Sequence, residues 1–66
     1  MKVTVNGTDR DLPDGETLPA LLAQLGLRVG SVVVEWNGTA LLRSEVEGVV
    51  LADGDRLELV RAVAGG

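Results

Sequence analysis

Apolar and polar residues alternate through residues 2–6, with Val3 and Val5 on one side and Thr4 on the other, the period of a half-buried β-strand. Asn6-Gly7 follows, a pair that tolerates the positive φ of a tight hairpin turn. The polar residues 8–12 are therefore expected to return antiparallel at a sheet edge, where their charges discourage further pairing. Pro13-Asp14-Gly15 ends that strand and leads to Thr17, a residue able to cap the first free N–H groups of a helix, with Pro19 in its first turn. Leu18, Leu21, Leu22 and Leu25 recur at i, i+3, i+4 and i+7 before Gly26, which suits a left-handed C-cap. The helix so predicted is roughly 12 Å long and marginal alone, so its leucines require a sheet to pack against.

The β-branched run Val32-Val33-Val34, continued by Glu35-Trp36, reads as the next strand, and Asn37-Gly38 as a second turn from which residues 39–42 pair back. Residues 43–47 are polar and suit one helical turn, while residues 49–51 are too short to assign. After the turn at Asp53-Gly54-Asp55, residues 56–61 alternate through Leu57 and Leu59 until Val60 blurs the phase. Val63-Ala64-Gly65-Gly66 offers no cap or polar anchor and is expected to leave the compact body.

Strand, strand, helix, strand, short strand, irregular turn, final strand is an order compatible with an α+β fold: a mixed four- to five-stranded sheet packed on one main helix, the β-grasp arrangement. Residues 1–62 would form the domain and residues 63–66 an extended tail. The expected core is Val3, Val5, Leu18, Leu21, Leu22, Leu25, Val32, Val34, Leu57 and Leu59. The order in which the strands pair is taken from fold analogy, since periodicity identifies strands and not all their neighbours.

Composition narrows the chemistry. A chain of 66 residues makes one domain that buries only about 60% of its unfolded surface, so a demanding active site would have to come from a partner. With no His and no Cys, disulfides, zinc-finger sites and Cys or His nucleophiles are excluded. The net charge of −4, with Lys2, Arg10, Arg28, Arg43, Arg56 and Arg61 scattered rather than in a run, gives no reason to bind nucleic acid or an acidic membrane and favours basic protein partners. Neither a signal-like N-terminus nor an apolar run of membrane-spanning length is present, so a soluble cytoplasmic protein is expected.

Several candidate sites have plainer explanations. Asn6-Gly7-Thr8 and Asn37-Gly38-Thr39 match the glycosylation acceptor pattern, yet turn formation accounts for both. Asp9, Asp11, Asp14 and Glu16, and the pair Asp53 and Asp55, are read as turn formers and solubilising charges ahead of acid–base or Mg²⁺ chemistry, which needs a concave site and controlled spacing. Arg10 and Arg43 are assigned ordinary surface roles ahead of contact with a partner's carboxylate or phosphate, and the single Trp36 a semi-buried packing role. The glycines do not form a phosphate loop, so nucleotide binding by this chain alone is not expected.

The Gly65-Gly66 end differs in kind. Extended residues 63–66 reach about 13 Å, enough to pass an end group into a narrow channel, and glycines remove steric obstruction. A free carboxylate is a poor electrophile; converted to an acyl-adenylate, its carbonyl becomes reactive toward sulfur or nitrogen. An unreactive glycine spacer and an activated end are both compatible with the tail by itself.

Taken together, Met1-Lys2-Val3-Thr4-Val5-Asn6-Gly7, Leu12-Pro13-Asp14-Gly15-Glu16-Thr17-Leu18, Leu21-Leu22-Ala23-Gln24-Leu25-Gly26-Leu27, Val34-Glu35-Trp36-Asn37-Gly38, Arg43-Ser44-Glu45 and the stretch from Asp53 through Leu59 to Gly66 resemble the ThiS family, the bacterial sulfur carriers of thiamine biosynthesis, within the ubiquitin-like β-grasp superfamily. The resemblance covers essentially the whole chain. It implies a carrier rather than an enzyme: a ThiF-type, E1-like partner using ATP and Mg²⁺ adenylates the Gly66 carboxylate, a sulfur-donor protein supplies sulfur to form a thiocarboxylate, and a ThiG-type thiazole synthase receives it. Gly66 is then the modified residue, Ala62, Val63, Ala64 and Gly65 thread the tail, and the chain binds no cofactor or metal itself. Leu42 stands where proline is common in the family and Ala64 where another glycine often occurs, departures that bear on stiffness and partner fit. Molybdopterin-type sulfur delivery, protein tagging, and a non-covalent β-grasp interaction module with an unreactive tail are the alternatives.

Overall fold

The computed structural model describes residues 1–61. Strand β1 (Lys2–Val5) turns through Asn6-Gly7 into β2 (Thr8–Asp11), and helix α1 (Leu18–Gln24) follows. A 3₁₀ turn (Val29–Ser31) then enters β3 (Val32–Trp36), which returns through Asn37-Gly38 as the short β4 (Thr39–Ala40). A single helical turn, α2 (Arg43–Val46), and a loop lead to β5 (Arg56–Arg61). The five strands form one mixed sheet in the order β2-β1-β5-β3-β4, so the last strand lies at the centre, parallel to β1 and antiparallel to β3. The polar β2 is an edge, as its charges predict.

Both Asn-Gly pairs form turns with positive φ at each position, 50° and 82° at Asn6 and Gly7 and 52° and 84° at Asn37 and Gly38. That is the turn whose twist matches two right-twisted antiparallel strands. Helix α1 starts where the Thr17 hydroxyl accepts from the Ala20 N–H at 3.2 Å. It ends in a left-handed Gly26 at φ 74°, with the Gly26 N–H donating to Ala23 and the Leu27 N–H donating to Leu22, which satisfies two terminal carbonyls.

Leu18, Leu21 and Leu22 are fully buried against Val3, Val5, Val32, Val34, Leu57 and Leu59, confirming nine of the ten expected core positions. The exception is Leu25, which is half-buried: it is the helix cap residue, where the chain leaves the sheet, and packs at the margin of the core. Leu12, Val46, Val49 and Leu51 complete the core and were not anticipated. Val49 and Leu51 point inward and Val50 outward because this segment runs beside the start of α1. The Leu18 N–H donates to Val49 at 3.0 Å and the Leu51 N–H to Glu16 at 2.9 Å, so a piece too short to read as a strand is held by long-range pairing. The return strand after Asn37-Gly38 is also shorter than expected. Only Thr39 and Ala40 pair regularly, because the Leu42 N–H then donates to Glu45 Oε1 at 2.7 Å and opens α2.

Candidate functional site

The residues expected to carry chemistry, Ala62, Val63, Ala64, Gly65 and Gly66, lie outside the described residues. What is described is the platform from which they leave. Strand β5 ends at Arg61, which pairs with Val32, and β5 is flanked on one side by β1 and on the other by β3. A terminal strand at a sheet edge could peel away under load from one side. Here β5 is paired on both sides at its start, through Leu57, and by β3 alone from there to Arg61.

Two turn asparagines add to those ladders. The Asn6 amide donates to the Leu59 carbonyl at 3.1 Å while its Oδ1 accepts from the Leu59 N–H at 2.7 Å, so one side chain replaces a missing strand partner. On the opposite flank, Asn37 Oδ1 accepts from the Arg56 N–H at 2.8 Å and the Asn37 N–H donates to the Arg56 carbonyl at 2.8 Å. The residues read from sequence as turn formers, with incidental glycosylation patterns, thus hold β5: Asn6 with both polar atoms of its side chain, Asn37 with its Oδ1 and its backbone N–H.

Asp55 corrects a second expectation. Read as one of a pair of solvated turn carboxylates, it is only 8% exposed. It accepts from the Ala52 N–H at 2.8 Å, the Trp36 indole N–H at 3.0 Å and the Asn37 amide at 3.1 Å. Burial pushes its carboxyl pKa up, and the hydrogen bonds from Ala52, Trp36 and Asn37 outweigh that effect and hold it below the ordinary aspartate value. One sequence signal pointed here: a lone half-buried tryptophan needs an acceptor for its N–H. Asp53 stays exposed and accepts from the Lys2 N–H at 2.7 Å, as a turn residue should.

Asp9, Asp11 and Asp14 are exposed and Glu16 half-buried, and among the described residues no group of three or more acidic side chains is placed to hold a cation. Arg43 packs its guanidinium over Gly30, so close that a side chain at residue 30 would meet it at 2.8 Å. On the face of the sheet away from α1, Val33 and Val60 stand opposite each other in register, 50% and 62% exposed, with Val60 immediately before Arg61. Two exposed apolar side chains thus stand side by side next to the last described residue of β5.

Against known proteins, the chain matches the ThiS family over residues 3–66. It is 39% identical to the sulfur carrier protein ThiS of Thermus thermophilus over 64 residues, covering 97% of this chain and 98% of that one. It is 38% identical over all 66 residues to a thiazole synthase of Paramagnetospirillum magneticum, of whose length it spans 20%. The fold superimposes on the crystal structure of the thiamine biosynthesis protein ThiS from Geobacter metallireducens with a TM-score of 0.82 at 30% identity, each chain covered completely. A β-grasp sheet with its last strand at the centre, a match reaching the final glycine, and a relative of nearly the same length agree on one conclusion: this chain belongs to the ThiS family.

Proposed function

We propose that this chain is a sulfur carrier of thiamine biosynthesis and that its Gly66 carboxylate is the cargo position. One carboxylate oxygen attacks the α-phosphorus of ATP in the active site of a ThiF-type partner, forming the acyl-adenylate and releasing pyrophosphate. Hydrosulfide sulfur, supplied by a donor protein, then adds to the activated carbonyl, and AMP leaves with the bond to oxygen. The product is a thiocarboxylate whose sulfur is nucleophilic and is delivered to a ThiG-type thiazole synthase. ATP and Mg²⁺ act in the activating partner.

The observation that carries this reading is the family match over residues 3–66, through the Gly65-Gly66 end, together with a sulfur-carrier relative aligned over 97% of the chain. It is supported by a protein named as a thiazole synthase that contains a segment similar to the entire chain. The body's part is mechanical. Strand β5, held by β1 at its start, by the Asn6 side chain at Leu59 and by β3 through Arg61, fixes where residue 62 begins, and the exposed Val33 and Val60 beside it offer a partner an apolar footing. Proximity and orientation, rather than proton transfer by this chain, are what such an arrangement contributes.

Intact mass and fragment mass spectrometry of the chain recovered with its native partners test the proposal. Exchange of one terminal oxygen for sulfur is expected and must be localised to Gly66, because oxidation of Met1 gives nearly the same nominal shift. Sulfur loaded on a chain lacking Gly66, or attached elsewhere, overturns it. Which synthase accepts the sulfur separates thiamine from molybdopterin delivery.

A further inference from the structure

We propose that a basic cleft at the root of the tail seats an acidic lip around the channel of the adenylating partner, with one aliphatic side chain of that lip filling the cleft floor. This rests on the reading above that the tail is adenylated. The cleft, about 370 Å³, opens on the α1 side of the sheet past the end of the helix. Its floor is apolar, from Val5, Leu25, Leu27, Val32 and Leu59, and Arg10 and Arg61 stand at its wall. A second, adjoining cleft shares Leu27 and Arg61 and adds Arg28.

Three of the six cations of a chain with net charge −4 thus converge where residue 62 begins, and among the described residues no carboxylate lines either cleft. Register explains the grouping. Arg10 pairs with Val3 and Arg61 with Val32, both core-facing positions, so these arginines lie on the helix side of the sheet. Asp9 and Asp11 pair with the outward Thr4 and Lys2 and lie on the other side. Among the described residues the one ion pair is that of the Met1 amine with Asp14 at 3.5 Å, and none of the three guanidiniums makes a hydrogen bond. Net charge alone favours basic partners; at the tail root the local field has the opposite sign, and an approaching channel mouth meets cations first. The half-buried leucines at the end of α1 supply the pocket that gives such a contact its shape.

The test is pyrophosphate exchange by the native adenylating partner with the full chain as substrate. Arg10→Glu and Arg61→Glu are expected to raise KM about tenfold with kcat little changed, a defect that shrinks as salt rises. Thr8→Trp, which fills the cleft without changing charge, is expected to raise KM at all salt concentrations. Arg56→Glu, the same charge change at the far end of β5, serves as the reference, thermal melts establish folding, and Arg10→Gln replaces Arg10→Glu should the latter unfold. If the arginine variants match Arg56→Glu in KM and salt response, the basic cleft is overturned while adenylation stands; if the wild-type chain is not adenylated at all, both readings fall.

Discussion

Asn6 and Leu59, 53 residues apart, exchange two hydrogen bonds through the Asn6 side chain, at 2.7 Å to the Leu59 N–H and 3.1 Å to its carbonyl. The same asparagine sits at φ 50°, a conformation that costs most residues free energy and that Asn adopts with little penalty. A single residue thus closes the first hairpin and secures the strand that leads to the tail.

Asn6→Ala is expected to lose both effects, destabilising the fold by about 2–3 kcal/mol. Asn6→Gly restores the backbone freedom without the hydrogen bonds and should fall between the two. Urea denaturation of the three proteins orders them; equal midpoints for the alanine and glycine variants would show that the turn conformation contributes nothing separable.

Asp55 makes stability depend on acid. Its folded pKa lies below the unfolded value because three donors face the carboxylate, so folded and ionised states favour each other. The contribution is complete above the unfolded aspartate pKa of about 3.9 and disappears as pH falls through the lower folded value. In thermal melts the gap between the wild type and Asp55→Ala should narrow as pH falls from 7 to below the unfolded aspartate value. At pH 7 the variant should be less stable by about 3 kcal/mol, since the Ala52, Trp36 and Asn37 donors lose their acceptor. Trp36 fluorescence reports the change directly.

The α1 leucines differ in cost. Leu21→Ala, at a fully buried site, should remove about 2–5 kcal/mol from a domain whose whole stability is roughly 3–10 kcal/mol. Leu25→Ala, at a half-buried site beside the cleft, should cost about 1 kcal/mol. Circular dichroism melts distinguish a partly unfolded Leu21 variant from a folded Leu25 variant.

Removal of Gly66 should abolish sulfur loading and leave the melting temperature of the body unchanged, because among the described residues the buried core already closes between Val3 and Leu59. Global unfolding on removal would contradict that separation of body and end.

Much of this was legible in the order of residues. Period-two alternation located β1 and β5, the β-branched valine run located β3, Asn-Gly pairs located both hairpins, and the leucine spacing located α1, because each signal is local. Val49 and Leu51 were opaque for the complementary reason: their partners are Leu18 and Glu16, more than 30 residues away. Leu25 satisfied the helical stripe yet fell at the cap, where spacing no longer determines burial. Asp55 resembled its neighbour Asp53 in every local respect, and only the meeting of its loop with Trp36 and Asn37 separates the two. The clustering of Arg10, Arg28 and Arg61 was likewise invisible in a chain where they are dispersed, since it arises from strand register.

The central place of β5 has a consequence for synthesis. Until that strand has cleared the ribosome, β1 with β2 and β3 with β4 are two hairpins with nothing between them, and isolated hairpins are at best marginal in water. A chain that stops short of residue 56 therefore has no closed sheet. Folding of the sheet thus waits for the last of its five strands to emerge, whatever the order in which the earlier ones appear.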